Sequence, residues 1–316
     1  MRRVALIYNP ESGQLSGGRS GIIQKALEEL RKAGVDADAL ETDAPGSARG
    51  LARTAIRNGY DALIACGGDG TVHEVLQCVV GTPVALGVLP LGTANALAQD
   101  LGLGRSPIKA VRKLIDATPT QVPVGRIHYR DRLGAEHVHY FIVAAGVGAD
   151  ALMMSRLDVK LKRRFGYVLY LIEAFRVWAT SSFPLFEATI KTPDARTVTM
   201  EEVSQLLAVR VRSFGGVLGQ LAPGATVRSS TLTLVAFKTR SRLRYLRFLL
   251  AVIAKRHSFG DQVELVEATS VECRVTNRAR ATVFLEADGE VLGMLPARLE
   301  IAAEQVTLLI PPDANP

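Results

Sequence analysis

The first 120 or so residues alternate between short apolar runs and amphipathic segments. The runs RVALIY and DALIAC are almost wholly apolar and predict buried strands. The segment GIIQKALEELRK has apolar positions at helical spacing and is followed by Gly34, a residue type that commonly ends helices. This alternation predicts a doubly wound, Rossmann-like α/β domain, in which helices cover both faces of a parallel sheet.

Beyond about residue 120 the pattern changes to short strands separated by Gly, Pro and Asp. Two helical segments, FGYVLYLIEAFRVWAT and SRLRYLRFLLAVIAK, interrupt them. Many short strands between turn residues predict an antiparallel β-sandwich. We therefore expect an α/β domain at residues 1–123 and an all-β domain at residues 124–301. The strands predicted after residue 120 are QVPVGRIHY, HVHYFIVAA, LFEATI, LLAVRVRSF, STLTLVAF, VECRVT, ATVFLEA, ARLEI and VTLLI.

Composition narrows the class of protein. The chain has 316 residues, a length that accommodates about two domains. It is 48% hydrophobic, yet no apolar run approaches the roughly 20 residues of a membrane-spanning helix. The N-terminal apolar run is too short for a secretory signal, so we expect a cytoplasmic protein. Cys66, Cys78 and Cys273 show no paired spacing, which argues against a disulfide framework or a zinc cage.

Three small polar loops follow predicted strands of the first domain: NPESG, CGGDGT and PLGTAN. Because the ends of parallel strands lie on one edge of a sheet, these loops are expected to meet where ligands bind. Gly67, Gly68 and Gly70 allow the backbone to approach a ligand closely. Thr71 is expected to begin a helix whose N-terminus favours anions. The combination predicts a phosphate site.

Asp69 places a negative charge inside the second of these loops. A carboxylate is stable beside phosphates if a divalent cation lies between them, and it is useful if it accepts a proton from an attacking hydroxyl. The alternative is that Asp69 caps the helix that follows.

Near the C-terminus, LEADGEV places Asp288 and Glu290 on either side of Gly289. Taken alone, Asp-Gly favours a hairpin turn. A Walker A loop is excluded because the chain has no Gly-Lys pair. The segment GVGADA favours close packing over dinucleotide binding, since basic residues stand near the place where a ribose-binding acid is expected.

The motifs NPESG, GGDGTVHEV, PLGTANALA and DGE, in this order, resemble the diacylglycerol kinase catalytic-domain superfamily. This superfamily includes bacterial soluble lipid kinases, sphingosine kinases and ceramide kinases. The resemblance extends over roughly residues 3–310. GGDGT alone is shared with NAD kinases, and PLGTAN about twenty residues later makes the lipid-kinase match specific.

The resemblance implies an ATP-dependent kinase that uses Mg²⁺ and phosphorylates a lipid hydroxyl in the cleft between two domains. The final strands, at about residues 302–316, would complete the first domain. Glu290 matches the catalytic acid of the family and would be the general base, with Asp288 beside it. Asp69 would organise Mg²⁺–ATP or activate the hydroxyl, and the roles of Asp69 and Glu290 could be exchanged. The implied nucleotide contacts are Asn9, Ser12, Gly13, Thr42, Gly67, Gly68, Gly70, Thr71, Glu74, Gly92, Thr93 and Asn95.

The second domain departs from the family pattern. AVRVRSFGG offers arginines where the family usually has an Asn, and VRSSTLTL replaces the Asp-Asp-Gly block that holds a structural magnesium in some bacterial members. No second metal site is therefore assigned. Diacylglycerol, ceramide and a sphingoid base all remain candidate substrates. A soluble-substrate kinase of the NAD kinase type and a catalytically silent lipid-binding protein are the alternatives.

The net charge of +7 favours anionic partners such as nucleotides or an acidic membrane surface. The segments KTRSRLRYLRFLLAVIAKRH and KLKRRFGY interleave basic and apolar residues. Such segments can lie on an anionic bilayer, so we expect a peripheral contact with the membrane and no binding to nucleic acid. The alternative is a helix that packs its apolar face on the sheet. The sequence leaves open whether the protein forms a homodimer.

Overall fold

A computed structural model describes residues 1–12, 21–131, 133–156, 176, 178–180, 183–212, 221–222, 224–253, 263–276 and 282–314. The chain forms two compact units. Unit 1 comprises Met1–Val124 and Ala303–Pro316, and unit 2 comprises Gly125–Ala302. Gly13 and the predicted basic segment at residues 160–167 lie outside the described residues, as does most of the predicted helix at residues 165–180.

Unit 1 is an α/β unit. Its two central strands are buried along their whole length, as expected for strands with helices on both sides. The elements are β1 (Arg3–Tyr8), α1 (Gly21–Lys32), β2 (Asp36–Glu41), α2 (Ser47–Arg57), β3 (Ala62–Gly67), α3 (Asp69–Val79), β4 (Ala85–Pro90), α4 (Ala96–Asp100), α5 (Pro107–Ile115), and parts of β5 (Thr118–Arg130) and β15 (Glu290–Ile310).

The sheet of unit 1 has the order β2-β1-β3-β4-β15, and each of these pairs is parallel. The last strand joins through Thr307, which pairs with Ala85. The chain moves from β1 outward to β2 and then crosses back to β3. Because such crossovers are right-handed, α1 and α2 lie on opposite faces. Consistent with this, α1 packs against α5, and α2 packs against α3. The predicted doubly wound fold is confirmed.

Apolar spacing explains why the helices form where they do. In α1 the buried side chains recur every three or four residues, which turns a single stripe toward the sheet. The helix ends at Lys32 and is followed by Gly34 in the left-handed conformation (φ 77°), as its sequence predicts. The buried residues of α1 are Ile23, Ala26, Leu27 and Leu30.

Unit 2 is mainly antiparallel β-structure. It contains the end of β5, most of β15, and β6 (Glu136–Phe141), β7 (Ala144–Gly148), α6 (Ala149–Arg156), β8 (Phe186–Lys191), β9 (Thr197–Val203), β10 (Gln205–Val209), β11 (Leu232–Phe237), α7 (Arg242–Ile253), β12 (Val263–Ala268), β13 (Ser270–Val275) and β14 (Phe284–Ala287).

Neighbouring strands of unit 2 run in the order β12-β11-β10-β7-β14-β15, and every pair is antiparallel. β13 joins β15 to β8, and β8 pairs with β9. A buried cluster that includes Phe141, Phe186 and Leu234 forms the core. The predicted antiparallel architecture is confirmed. Two strands that we did not predict, β9 and β12, complete it.

Within the described residues, no helix is both long and apolar enough to cross a bilayer.

Candidate functional site

The ends of β1 and β3 mark the point in unit 1 where the strand order reverses. β1 is flanked by β2 and β3, so the chain leaves it in one direction and returns on the other side. Ligands of open α/β sheets bind outside the carboxyl ends of strands at such a point. The loop after β1 starts at Asn9, whose N–H donates to the carbonyl of Cys66 at 3.3 Å. The predicted first and second loops therefore meet at this edge.

The second and third loops are in close backbone contact. The N–H groups of Leu91 and Gly92 both donate to the carbonyl of Gly67, at 3.0 and 3.1 Å. A Cβ atom added to Gly92 would lie 2.4 Å from the Cα of Gly68. A Cβ on Gly67 would lie 2.3 Å from the Oγ1 of Thr71. Glycine is thus required at Gly92 because two backbones touch and at Gly67 because the Thr71 side chain lies against it. The loops Gly67–Gly70 and Leu91–Asn95 form one interlocked unit.

Asp69 connects these two loops through its side chain. Its carboxylate accepts hydrogen bonds from the backbone N–H groups of Asn95 at 3.1 Å and Ala96 at 2.8 Å. Asp69 is also the first residue of α3, which begins two residues earlier than Thr71, the predicted start. Gly68 is the N-cap of α3. The alternative in which Asp69 is the cap of the following helix is therefore wrong, because Gly68 occupies that position and the Asp69 carboxylate binds the start of α4.

Asn95 shapes the third loop from within. It is 6% exposed and adopts the left-handed conformation (φ 50°). Its amide oxygen accepts the N–H of Gly92 at 3.0 Å, and its amide nitrogen donates to the carbonyl of Gly92 at 2.7 Å. Thr93 is exposed at the tip of the loop. The side chain of Asn95 thus holds the loop closed, while Thr93 is accessible to a ligand.

Thr42 and Glu74 lie at the segment that connects β2 to α2. Thr42 directly follows β2, is 8% exposed, and donates its N–H to the carbonyl of Tyr8 at 2.9 Å. Glu74, on α3, accepts the N–H of Gly46 at 3.0 Å, which ties the loop before α2 to α3. Among the described residues, the second carboxylate oxygen of Glu74 is buried without a hydrogen-bond partner. In the first loop, Ser12 is 9% exposed and its N–H donates to the carbonyl of Asn9 at 3.0 Å.

These loops have the features of an anion site. Gly68, Gly70 and Gly92 are partly exposed, so an incoming group meets backbone rather than side chains. In the first turn of α3, the N–H groups of Thr71 and Val72 donate to the carbonyl of Gly68, and the helix dipole adds a partial positive charge at this end. Backbone N–H groups at a helix N-terminus are well suited to phosphate. The predicted phosphate-binding residues therefore fit a nucleotide phosphate.

In unit 2, Asp288 and Gly289 form the turn between β14 and β15. Both have positive φ, at 50° and 85°, as in the two-residue hairpin turns that Asp-Gly favours. Asp288 is 8% exposed. Its carboxylate accepts hydrogen bonds from the N–H groups of Ile142 at 3.0 Å, Val143 at 2.9 Å and Ala144 at 3.1 Å. The predicted hairpin is present, and Asp288 fixes it to the start of β7.

Glu290 differs from Asp288 in exposure. It is the first residue of β15 and its side chain is exposed. An exposed carboxylate can meet a substrate hydroxyl, whereas the carboxylate of Asp288 is already occupied by three backbone donors. Between the two predicted acids, the geometry favours Glu290 for proton transfer.

Two further acids, Glu286 and Asp150, lie close to each other near this hairpin. Glu286 is 3% exposed and accepts the N–H of Gly289 at 2.8 Å. Burial, together with the nearby Asp150 carboxyl, raises the pKa of Glu286 well above its usual value. Burial raises the pKa of Asp150 as well. A Cβ on Gly146 would lie 2.7 Å from Asp150 Oδ2 and 2.8 Å from Glu286 Oε1, which confirms that GVGADA serves close packing.

Asp150, Glu286 and Arg210 were not predicted as site residues. Arg210 is 0% exposed, although an arginine in an alternating strand pattern usually faces solvent. For Glu286 the sequence does contain a signal. Glu286 stands two positions before Asp288, and alternate residues of a strand share a face. The structure brings the described residues of the predicted unit 1 set, which exclude Gly13, to one sheet edge, and it brings Asp288 and Glu290 to one hairpin of unit 2.

Family models match the two parts of the chain. The diacylglycerol kinase catalytic domain model matches residues 3–127. The model of the YegS C-terminal NAD kinase beta sandwich-like domain matches residues 142–310.

Curated relatives match along almost the whole chain. A YegS-like lipid kinase from Chromohalobacter salexigens is 30% identical over 96% of this chain and 94% of its own length. The diacylglycerol kinase of Bacillus subtilis is 25% identical over 98% of this chain and 97% of its own length. A crystal structure of a proposed diacylglycerol kinase from Bacillus anthracis has a TM-score of 0.76 at 20% identity, covering 99% of this chain and 96% of that one. That structural likeness supports the fold.

Proposed function

Because this chain belongs to the diacylglycerol kinase catalytic-domain family, we propose that it is an ATP- and Mg²⁺-dependent kinase that phosphorylates a hydroxyl group of a membrane lipid. The observation that carries the proposal is the interlocked pair of glycine loops at the strand-order reversal of unit 1. They present backbone N–H groups of α3 where a nucleotide phosphate would bind.

The reaction needs positioning and charge neutralisation more than covalent chemistry. The hydroxyl oxygen of the lipid forms a bond to the γ-phosphorus, and the bond from that phosphorus to the departing ADP oxygen breaks. The hydroxyl proton passes to a carboxylate. Glu290 is assigned this role because it is exposed at the end of a fixed hairpin. Bound Mg²⁺–ATP would supply the phosphoryl group and neutralise its developing charge.

Asp69 is the carboxylate that the interlocked loops contain. Magnesium in kinases is held by one or two carboxylates together with the nucleotide phosphates, and Asp69 fits this pattern. Its bonds to the N–H groups of Asn95 and Ala96 give it a positioning role as well, because they set the shape of the third loop. A direct contact between Asp69 and magnesium stays a prediction.

The test is a turnover screen with labelled ATP, Mg²⁺ and vesicles containing diacylglycerol, ceramide or sphingosine. We expect one of these lipids to be phosphorylated and Glu290→Gln to lower kcat by about 10²-fold or more. Glu201→Gln is the matched control, because Glu201 is also an exposed strand residue of unit 2. Full activity of Glu290→Gln would remove Glu290 from the mechanism.

The same screen separates the alternatives. Phosphorylation of NAD with no lipid product would favour a soluble-substrate kinase. Lipid binding without turnover at any magnesium concentration would favour a catalytically silent protein. A lipid product is expected because the candidate acids and the glycine loops are all present.

We further propose that α7 contacts an anionic bilayer. Tyr245 anchors the first turns of this helix, since its ring stacks on Phe183 and Phe237 and its hydroxyl pairs with that of Ser204 at 2.7 Å. The exposed residues of these turns are Arg242, Leu243, Arg244 and Arg247. Leu243 is 63% exposed. Basic residues flanking an exposed leucine are suited to an anionic membrane surface, where each contributes about 1 kcal/mol.

Flotation with vesicles tests this contact. Replacing Arg242, Arg244 and Arg247 by Glu should abolish retention on phosphatidylglycerol vesicles at low salt. The control replaces three exposed cations of unit 1 by Glu and changes the net charge equally. These cations are Arg2, Lys25 and Arg57. Equal retention of both variants would contradict the assignment to α7.

A further inference from the structure

Arg210 carries a positive charge into the interior of unit 2. It follows directly after β10 and is 0% exposed. Its guanidinium donates to the backbone carbonyls of Val227 at 2.8 Å, Ser229 at 3.3 Å and Thr231 at 3.4 Å. The guanidinium group therefore binds the segment at residues 227–231, which leads into β11. These carbonyls satisfy hydrogen bonds, but they carry no net charge to balance the buried cation.

Asp288 is the acid whose charge acts on Arg210. Its attraction opposes the loss of hydration, and the pKa of Arg210 falls only to about 10, so the guanidinium is protonated at neutral pH. Both residues hold the same short segment. Arg210 donates its backbone N–H to the carbonyl of Val143 at 2.9 Å, and the Asp288 carboxylate accepts the N–H groups of Ile142, Val143 and Ala144.

The arrangement pairs one buried cation with one buried anion, and both bind the short segment that connects β6 to β7. Removing one member of such a pair leaves an uncompensated buried charge, which is strongly destabilising. Removing both leaves no such charge. The turn at Asp288 and Gly289 leads directly to Glu290, so any movement of Asp288 is transmitted to Glu290 through two peptide units.

We propose that Arg210 is a positioning residue that holds Asp288, and through it the hairpin that presents Glu290. The kinetic part of this inference rests on the function proposed above. Neither the guanidinium nor its carbonyl acceptors need to touch the substrate. The charge of Arg210 balances that of Asp288, and its guanidinium is itself fixed by the carbonyls of Val227, Ser229 and Thr231.

A thermal double-mutant cycle tests the link without any activity assay. Arg210→Met should lower the melting temperature by about 10 °C, as expected for an orphaned buried charge. In an Asp288→Asn background, the same substitution should cost less than about half of that, because no anion remains to be balanced. Arg228→Met is the control, since Arg228 is exposed in the same segment. Additive effects of Arg210→Met and Asp288→Asn would overturn the proposal.

Arg210→Lys keeps the positive charge but lacks the branched guanidinium group. It replaces Arg210→Met in the thermal cycle if Arg210→Met does not fold. In the kinase assay Arg210→Met should lower kcat by about 10²-fold and leave the KM for ATP unchanged, since the glycine loops belong to unit 1. Arg210→Lys should recover most of the kcat. Equal losses in both variants, or a raised KM for ATP, would contradict a positioning role. If no lipid is phosphorylated, the proposed function fails while the thermal cycle still decides whether Arg210 and Asp288 are coupled.

Discussion

The contact between the two glycine loops predicts an asymmetry between Gly92 and Gly68. A Cβ on Gly92 would lie 2.4 Å from the Cα of Gly68 and 3.1 Å from its nitrogen. A Cβ on Gly68 would meet the Cα of Gly92 at 3.5 Å, which is ordinary van der Waals contact. Gly68 also has a negative φ of −92°, which other residues adopt readily. Alanine is therefore excluded sterically at one position and tolerated at the other.

The size of the effect follows from the distances. Carbon atoms are in favourable contact at about 3.5–4.0 Å, so Gly92→Ala must push the loops apart by about 1 Å. That movement stretches the bond from the Gly92 N–H to the carbonyl of Gly67 and those within the third loop. Overpacking of this kind costs about 1–3 kcal/mol. A displacement near 1 Å in a substrate-positioning loop can also lower turnover about 10²-fold.

The assay is urea unfolding together with ATP turnover. We expect Gly92→Ala to lower the free energy of unfolding by about 1–3 kcal/mol and Gly68→Ala to change it by less than about 0.5 kcal/mol. Gly50→Ala is the control for glycine replacement itself, because its Cβ meets nothing within 4 Å in α2 and should be neutral or stabilising. If Gly92→Ala matches Gly68→Ala in stability and activity, the two loops do not touch as described.

Three further predictions concern Glu286, Asp69 and the cysteines. Because the pKa of Glu286 is raised in the folded protein, the folded state binds its proton more tightly, and stability falls as pH rises from the unfolded pKa toward the folded one. Urea unfolding of Glu286→Gln at pH 5 and pH 8 should show a shallower fall than the wild type. Asp69→Ala removes the acceptor for two N–H groups at the start of α4 and should cost about 1–3 kcal/mol, measured by thermal unfolding; no change would show that the carboxylate is dispensable there. A thiol reagent should label the half-buried Cys78 of the native protein before the two buried cysteines, and simultaneous labelling of all three would contradict their burial.

The strand-end loops were predictable because each follows an apolar run that only a buried strand explains. DALIAC is almost wholly apolar and the glycines come directly after it, so the position of Gly68 on the sheet edge follows from local sequence. The hairpin at Asp288 was predictable for a similar reason, since Asp-Gly adopts the required left-handed conformations. Local sequence is sufficient to predict the backbone conformation where a short segment adopts it without long-range contacts.

The strands β9 and β12 were not predicted because their hydrophobic signal is weak. In β9 only Met200 and Val203 are buried, and in β12 only Ala268 is. Strands with few buried side chains form through pairing with a neighbour, and that pairing is not encoded within the segment itself.

The buried charge of Arg210 escaped prediction for a different reason. Its acceptors belong to a later part of the chain, and its acidic partner Asp288 comes from a hairpin near the C-terminus. The predicted strand LLAVRVRSF is present as β10 up to Val209, but the alternation in AVRVR cannot reveal that the side chain of Arg210 becomes fully enclosed. Long-range neighbours alone decide whether a charge is buried.

Asp69 and Asp288 share a feature that separates them from Glu290. Each carboxylate accepts backbone N–H groups from a segment distant in sequence, at Asn95 and Ala96 in unit 1 and at Ile142 to Ala144 in unit 2. The oxygen atoms of a carboxylate held by such donors are already engaged, so fewer acceptor positions are left for a substrate hydroxyl. In the loop Gly67–Gly70, Asp69 is the one residue with a side chain that can bind the neighbouring loop. This explains why an acid stands among glycines that would otherwise favour phosphate. We therefore assign the proposed proton transfer to Glu290, whose exposed carboxylate has no such structural task among the contacts seen in the described residues.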